Sequence, residues 1–150
     1  MMKKLLSRKI AILFSTLLLG AALGSHAARA DEKTTPLGDK MKIISKSVKQ
    51  LKNQITDPTQ QQSSIALVQT AESAAKDARG LVPAKAASVP DADRPKFISD
   101  FQAQIDVLIK QFDTINAALA AGKYDDAQKA FNDLANIKRD GHKQFIKPQD

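Results

Sequence analysis

Residues 35–58 read TPLGDKMKIISKSVKQLKNQITDP, and this stretch decides the fold class. Leu37, Met41, Ile44, Val48, Leu51 and Ile55 follow one another at steps of 4, 3, 4, 3 and 4, which lines up one face of an α-helix. Lys40, Lys42, Lys46, Lys49 and Lys52 fall mostly off that face. Pro36 suits the first helical position, where its missing N–H costs nothing. Asp57-Pro58 closes this helix and opens the next.

Three more stripes follow. Ile65, Val68, Ala71, Ala75 and Ala78 form the second, with Gly80 expected as the residue just past its C-terminal cap. Residues 81–94 hold Pro83 and Pro90 and show no period, so they form the longest connection. Asp93 or Arg94, before Pro95, starts the third helix, whose stripe is Phe97, Phe101, Ile105, Leu108, Phe112, Ile115 and Leu119, and Gly122 stops it. Asp125 and Asp126 suit the positive end of a fourth helix, lined by Tyr124, Ala127, Phe131, Leu134, Ile137 and Phe145. No stretch alternates with period two, so strands are not expected. Very short first and third joints force antiparallel neighbours. The expected fold is all-α, an antiparallel up-down-up-down four-helix bundle.

Composition narrows the function. The chain has 150 residues, enough for one domain with a sizeable core. It has no Cys, which excludes disulfides, thiolate metal sites and haem attached through C-x-x-C-H. Residues 1–30 read as a secretory signal: a basic start at Lys3, Lys4, Arg8 and Lys9, an apolar run from Ile10 to Leu23, and an Ala28-Arg29-Ala30 cleavage site. The run is short for a membrane span and no second one follows. Its removal takes five basic residues and no acid, so 23 basic against 16 acidic residues become 18 against 16. A mature net charge of +2 gives no support to nucleic-acid binding. The expectation is a mature domain, residues 31–150, exported to a bacterial periplasm as a monomer without a membrane span.

Enzyme signatures are missing. The serines carry no elbow motif beside His142, there is no glycine-rich phosphate loop, and one His without Cys is too few for zinc. The acidic pairs Asp91/Asp93 and Asp125/Asp126 read as a turn and a helix start. The chain is therefore not expected to be an enzyme. The mature part keeps one Met, Met41, and one His, His142. Met41 lies early in the first helix and His142 near the end of the fourth, so an up-down-up-down bundle puts both at one end. A thioether and an imidazole are axial ligands used by electron-transfer haem proteins. Taken alone, a Met on a helical stripe also reads as core filler, and a His near a helix C-terminus as a surface residue favoured by the dipole.

Two stretches resemble the soluble cytochrome b562 family. One is Leu37-Gly-Asp-Lys-Met41-Lys-Ile-Ile44 and the other runs from Phe101 through Gly122-Lys123 to His142, with Asp77-Ala78 and Pro83-Ala84-Lys85 similar between them. The resemblance implies a periplasmic four-helix bundle that holds one non-covalent haem b between Met41 and His142, and so binds its iron through those two side chains. It also implies electron transfer to redox protein partners. Leu37, Ile44, Phe101 and Ile105 would wall the haem. Ile105 stands where the family's best-known member has a second pocket Phe, and Lys138 where an Arg is found; Arg139 points about 100° away from Lys138. Gly141 reads either as slight fraying or as room beside His142. The rival expectations are a cofactor-free periplasmic bundle that binds a protein partner, with an exposed apolar groove, and a metal-buffering protein using carboxylates.

Overall fold

The structure, a computed structural model, describes residues 35–146. The expected signal at residues 1–30 lies outside the described residues. Four α-helices run in order: α1 Pro36–Leu51, α2 Gln61–Arg79, α3 Arg94–Ala120 and α4 Tyr124–Phe145. Among the described residues there is no strand, so the chain is a four-helix bundle. No described helix is long and apolar enough to cross a membrane.

Local chemistry sets the ends. The Thr35 hydroxyl accepts from Gly38 N at 3.0 Å and caps α1, with Pro36 at its first position. α1 stops at Leu51, a turn earlier than its stripe. Residues 52–56 continue as hydrogen-bonded turns, with Ile55 N donating to Leu51 O, so Ile55 stays buried although the helix has ended. Asp57 accepts from both Thr59 N and Thr59 Oγ1, and a single 3₁₀ turn, Pro58–Gln60, leads into α2. Gly80 departs from expectation. It keeps right-handed angles (φ −81°) at the C-cap itself, and Leu81 N closes the end onto Ala78 O. Gly122 does take φ +69°, with Gly122 N bonding Leu119 O and Lys123 N bonding Ala118 O. That is a Schellman ending, and it reverses the chain from α3 into α4 in three residues.

The aperiodic connection is more ordered than its sequence suggests. It contains a 3₁₀ turn, Ala84–Ser88, anchored by buried Pro83 and Ala86. The Arg94 guanidinium donates to Ala86 O and Val89 O and pairs with Asp91, which ties the connection to the start of α3.

Packing follows chain order. α1 packs on α2, α2 on α3 and α3 on α4, while no comparable seam joins α1 to α4. The α2 stripe of Ala71, Ala74, Ala75 and Ala78 is buried, and small side chains let helices approach closely. Gln104 and Gln111 of α3 donate to Ile137 O and Ala130 O of α4. Phe112, Ile115 and Leu119 are wholly buried and form the densest part of the core. Phe131 and Ile137, expected on the inner face of α4, are only half-buried, whereas Ala130 is buried.

The two late glycines differ in sign. A Cβ at Gly122 would meet nothing within 4 Å, so Gly122→Ala costs only the left-handed backbone penalty, about 1–2 kcal/mol. A Cβ at Gly141 would sit 3.7 Å from Gln104 Cγ, an ordinary contact, so Gly141→Ala gains helix propensity of up to about 1 kcal/mol. Urea unfolding of both variants checks this: Gly122→Ala lowers the midpoint and Gly141→Ala raises it.

Candidate functional site

One end of the bundle collects the expected site residues, and four contacts define it. Lys40 Nζ of α1 pairs with Asp77 Oδ2 near the end of α2 at 2.6 Å. Arg79, the last residue of α2, donates to both oxygens of Asp106 of α3 at 2.6 and 3.1 Å. The Phe145 ring, in the last turn of α4, meets Phe97 and Phe101 near the start of α3 edge-on, with centroids 5.3 and 5.4 Å away. Lys85 Nζ, from the α2–α3 connection, donates to Gln144 O at 2.7 Å. The start of α1 and the end of α4 therefore share this end, and Met41 and His142 with them.

Helical phase settles which way each faces. Successive residues turn by about 100°. On α1, Lys40 reaches α2, the buried stripe lies next, and Met41 follows on the far flank. On α4, Gly141 and Ile137 border Gln104 of α3, the buried Leu134 and Phe145 lie next, and His142 follows on the far flank. Both side chains thus stand on the flanks turned away from their close neighbours. Those flanks border the one side of the bundle without a helix seam. Gly141, by contrast, turns toward α3, so its missing side chain leaves no room on the His142 flank.

Exposure separates the two. Met41 is half-buried and packs against the core, and His142 is exposed. The residues expected as a wall belong to the apolar core: Leu37 is half-buried against the cluster that contains Ile44, Phe101 and Ile105. Several large side chains of this end keep a little surface. Ile44, Phe101, Ile105 and Phe145 keep 8, 4, 5 and 6% of their surface, against 0% for Phe112, Ile115 and Leu119. Lys138, one turn before His142, is exposed. A soft sulfur donor, an accessible imidazole and an apolar wall suit a flat, hydrophobic iron chelate. No group of three or more His, Cys, Asp or Glu side chains gathers among the described residues.

Some features of this end carry no local sequence signal. Lys85 reaches the last turn of α4 across 59 positions, and Lys40 meets Asp77 across 37. Either pairing was open to discovery only once the helix order was known. A surface depression at the α3–α4 turn, against Thr56 and Gly122–Asp126, holds none of the expected site residues.

A family model described as cytochrome b562 matches residues 36–145, from the first residue of α1 to the last of α4. No curated protein matches the chain.

The Arg79–Asp106 tie resists mild acid. Hydrogen bonds from Arg79 hold the Asp106 carboxyl below its usual value of 3.8. A lowered folded pKa means that the pair stabilises the fold above the ordinary carboxylate range, and that this contribution is lost as pH falls through the folded value. Carbon-13 titration of the Asp106 carboxyl should give a midpoint below 3.8, and Arg79→Gln should move it up toward that value.

Proposed function

The chain belongs to the cytochrome b562 family, and from that membership we propose that it is a b-type haem protein that carries electrons, with Met41 Sδ and a ring nitrogen of His142 as the axial ligands. The observation that carries the assignment is positional. The only Met and the only His after residue 30 stand at one end, on the two flanks that border the seamless side.

Bound haem supplies a one-electron iron couple. The residues of the chain do the rest. The Met41 thioether is a soft, neutral donor and favours the ferrous state relative to a harder ligand. The exposed position of His142 lets its imidazole turn without unpacking the core. Two axial side chains leave no easy position for oxygen or a substrate, which fits electron transfer and not catalysis. Leu37, Ile44, Phe101 and Ile105 exclude water, and a drier site favours the less charged redox state. Lys138 brings a positive charge one turn from His142, suited to a haem propionate. Haem is held non-covalently, since the chain has no Cys. The secretory pattern of residues 1–30 supports a periplasmic protein, and the bundle is proposed to act as a monomer that exchanges electrons with a redox protein.

Absorption spectroscopy of haem-loaded protein tests this. The wild type should show sharp low-spin b-type bands. Met41→Ala should move the spectrum toward high spin with haem retained. His142→Ala should weaken haem retention by more than about tenfold, because even the supporting partners of metal ligands are worth that much. Unchanged spectra and retention in both variants would overturn the proposal.

A further inference from the structure

The charge of this protein is distributed unevenly over the bundle. α2 carries two basic and two acidic residues, α3 three of each and α4 four of each. α1 carries Lys40, Lys42, Lys46 and Lys49 against Asp39 alone, and Lys52 follows directly. Three helices of balanced charge thus accompany one that is strongly positive. Pairing shows the same contrast. Basic residues of α2, α3 and α4 meet carboxylates in the pairs Lys76–Glu72, Arg79–Asp106, Lys96–Asp100 and Arg139–Asp140. On α1 only Lys40 takes part in an ion pair among the described residues.

Lys42, Lys46, Lys49 and Lys52 are all exposed. Their steps of 4, 3 and 3 keep them on one side of the helix, over a length of about 15 Å. Like charges at these spacings repel and destabilise a helix, so the stripe works against the fold that carries it. It begins beside the flank of Met41 and continues around the outer face of α1. Across the seamless side, the flank of α4 presents exposed Lys138 and Arg139, while Asp125, Asp133 and Asp140 fall toward the outer and α3-facing side by helical phase.

We propose that the outer face of α1, through Lys42, Lys46, Lys49 and Lys52, is the docking surface for an acidic protein partner. The stripe starts next to Met41 and runs along α1 toward the opposite end, so it steers an acidic surface onto the side of the bundle beside Met41, speeding encounter without a large apolar contact. On the electron-carrier reading this partner is the redox protein. The binding itself depends only on the charged face, so it is measured separately from haem ligation.

Nitrogen-15 NMR titration of the full mature chain with poly-L-glutamate, at about 10 mM salt where charges act over about 30 Å, tests the proposal. Shift changes should concentrate on residues 42–52 and on the adjoining flank of α4. Two quadruple variants of equal net charge are compared. Lys42→Glu, Lys46→Glu, Lys49→Glu and Lys52→Glu together should weaken binding by about tenfold or more. Reversal of Lys76, Lys96, Lys110 and Lys129 to Glu should weaken it by less than about threefold. A Lys→Gln version of the first set, with helicity checked by circular dichroism, should also weaken it and guards against misfolding. Equal losses in the two reversal variants, or shifts spread evenly over the bundle, would overturn the proposal. So would tighter binding to phosphatidylglycerol vesicles than to the polypeptide. An absorption spectrum of each sample reports haem independently, so failure of docking and failure of haem ligation are read apart.

Discussion

Each helix of this bundle is held chiefly by the helix next to it in the chain, and the side between α1 and α4 has no seam of its own. That constraint governs the molecule. Closing the fourth side with another helix seam would bury Met41 and His142 against protein. Without one, Met41 stays half-buried against the core and His142 exposed. The three seams that do exist are strong enough to permit this. α3 runs the length of the core and buries Phe112, Ile115 and Leu119 completely, and the alanine stripe of α2 packs close to its neighbours.

The contacts that define the site end are polar and aromatic, and each connects a different pair of segments. Lys40–Asp77 joins α1 to α2, Arg79–Asp106 joins α2 to α3, and the Phe97–Phe145–Phe101 cluster joins α3 to α4. The exposed ion pairs contribute little net stability. Together with the aromatic cluster they mark the end that the four helices share. Lys85 adds a donor to the last turn of α4, where carbonyls lack helical partners.

Much of this was legible in the sequence, because amphipathic helices announce themselves by period. The steps from Leu37 to Ile55 and from Phe97 to Leu119 identify α1 and α3, and short joints then dictate the antiparallel order. The limits were local. Apolar spacing continues to Ile55 although α1 ends at Leu51, since a hydrogen-bonded turn can bury the same face. Gly80 has the residue type of a left-handed cap but is not used as one, because the chain leaves α2 without a positive φ. Residues 81–94 show no period, yet Pro83, Ala86 and Arg94 fold them into an anchored strap. The shared end of Met41 and His142 followed from helix order and short joints, and their difference in exposure did not. No spacing rule shows that Met41 is half-buried while His142 is exposed, since this depends on the missing α1–α4 seam.

The central claim is that one sulfur and one imidazole share an iron at this end. Proton NMR of the reduced, haem-loaded protein addresses it atom by atom. The Met41 methyl group should resonate far upfield of the ordinary methyl range, as a group held over the face of the porphyrin, and the His142 ring protons should be shifted upfield as well. A Met41 methyl at an ordinary position in fully haem-loaded protein would contradict the account.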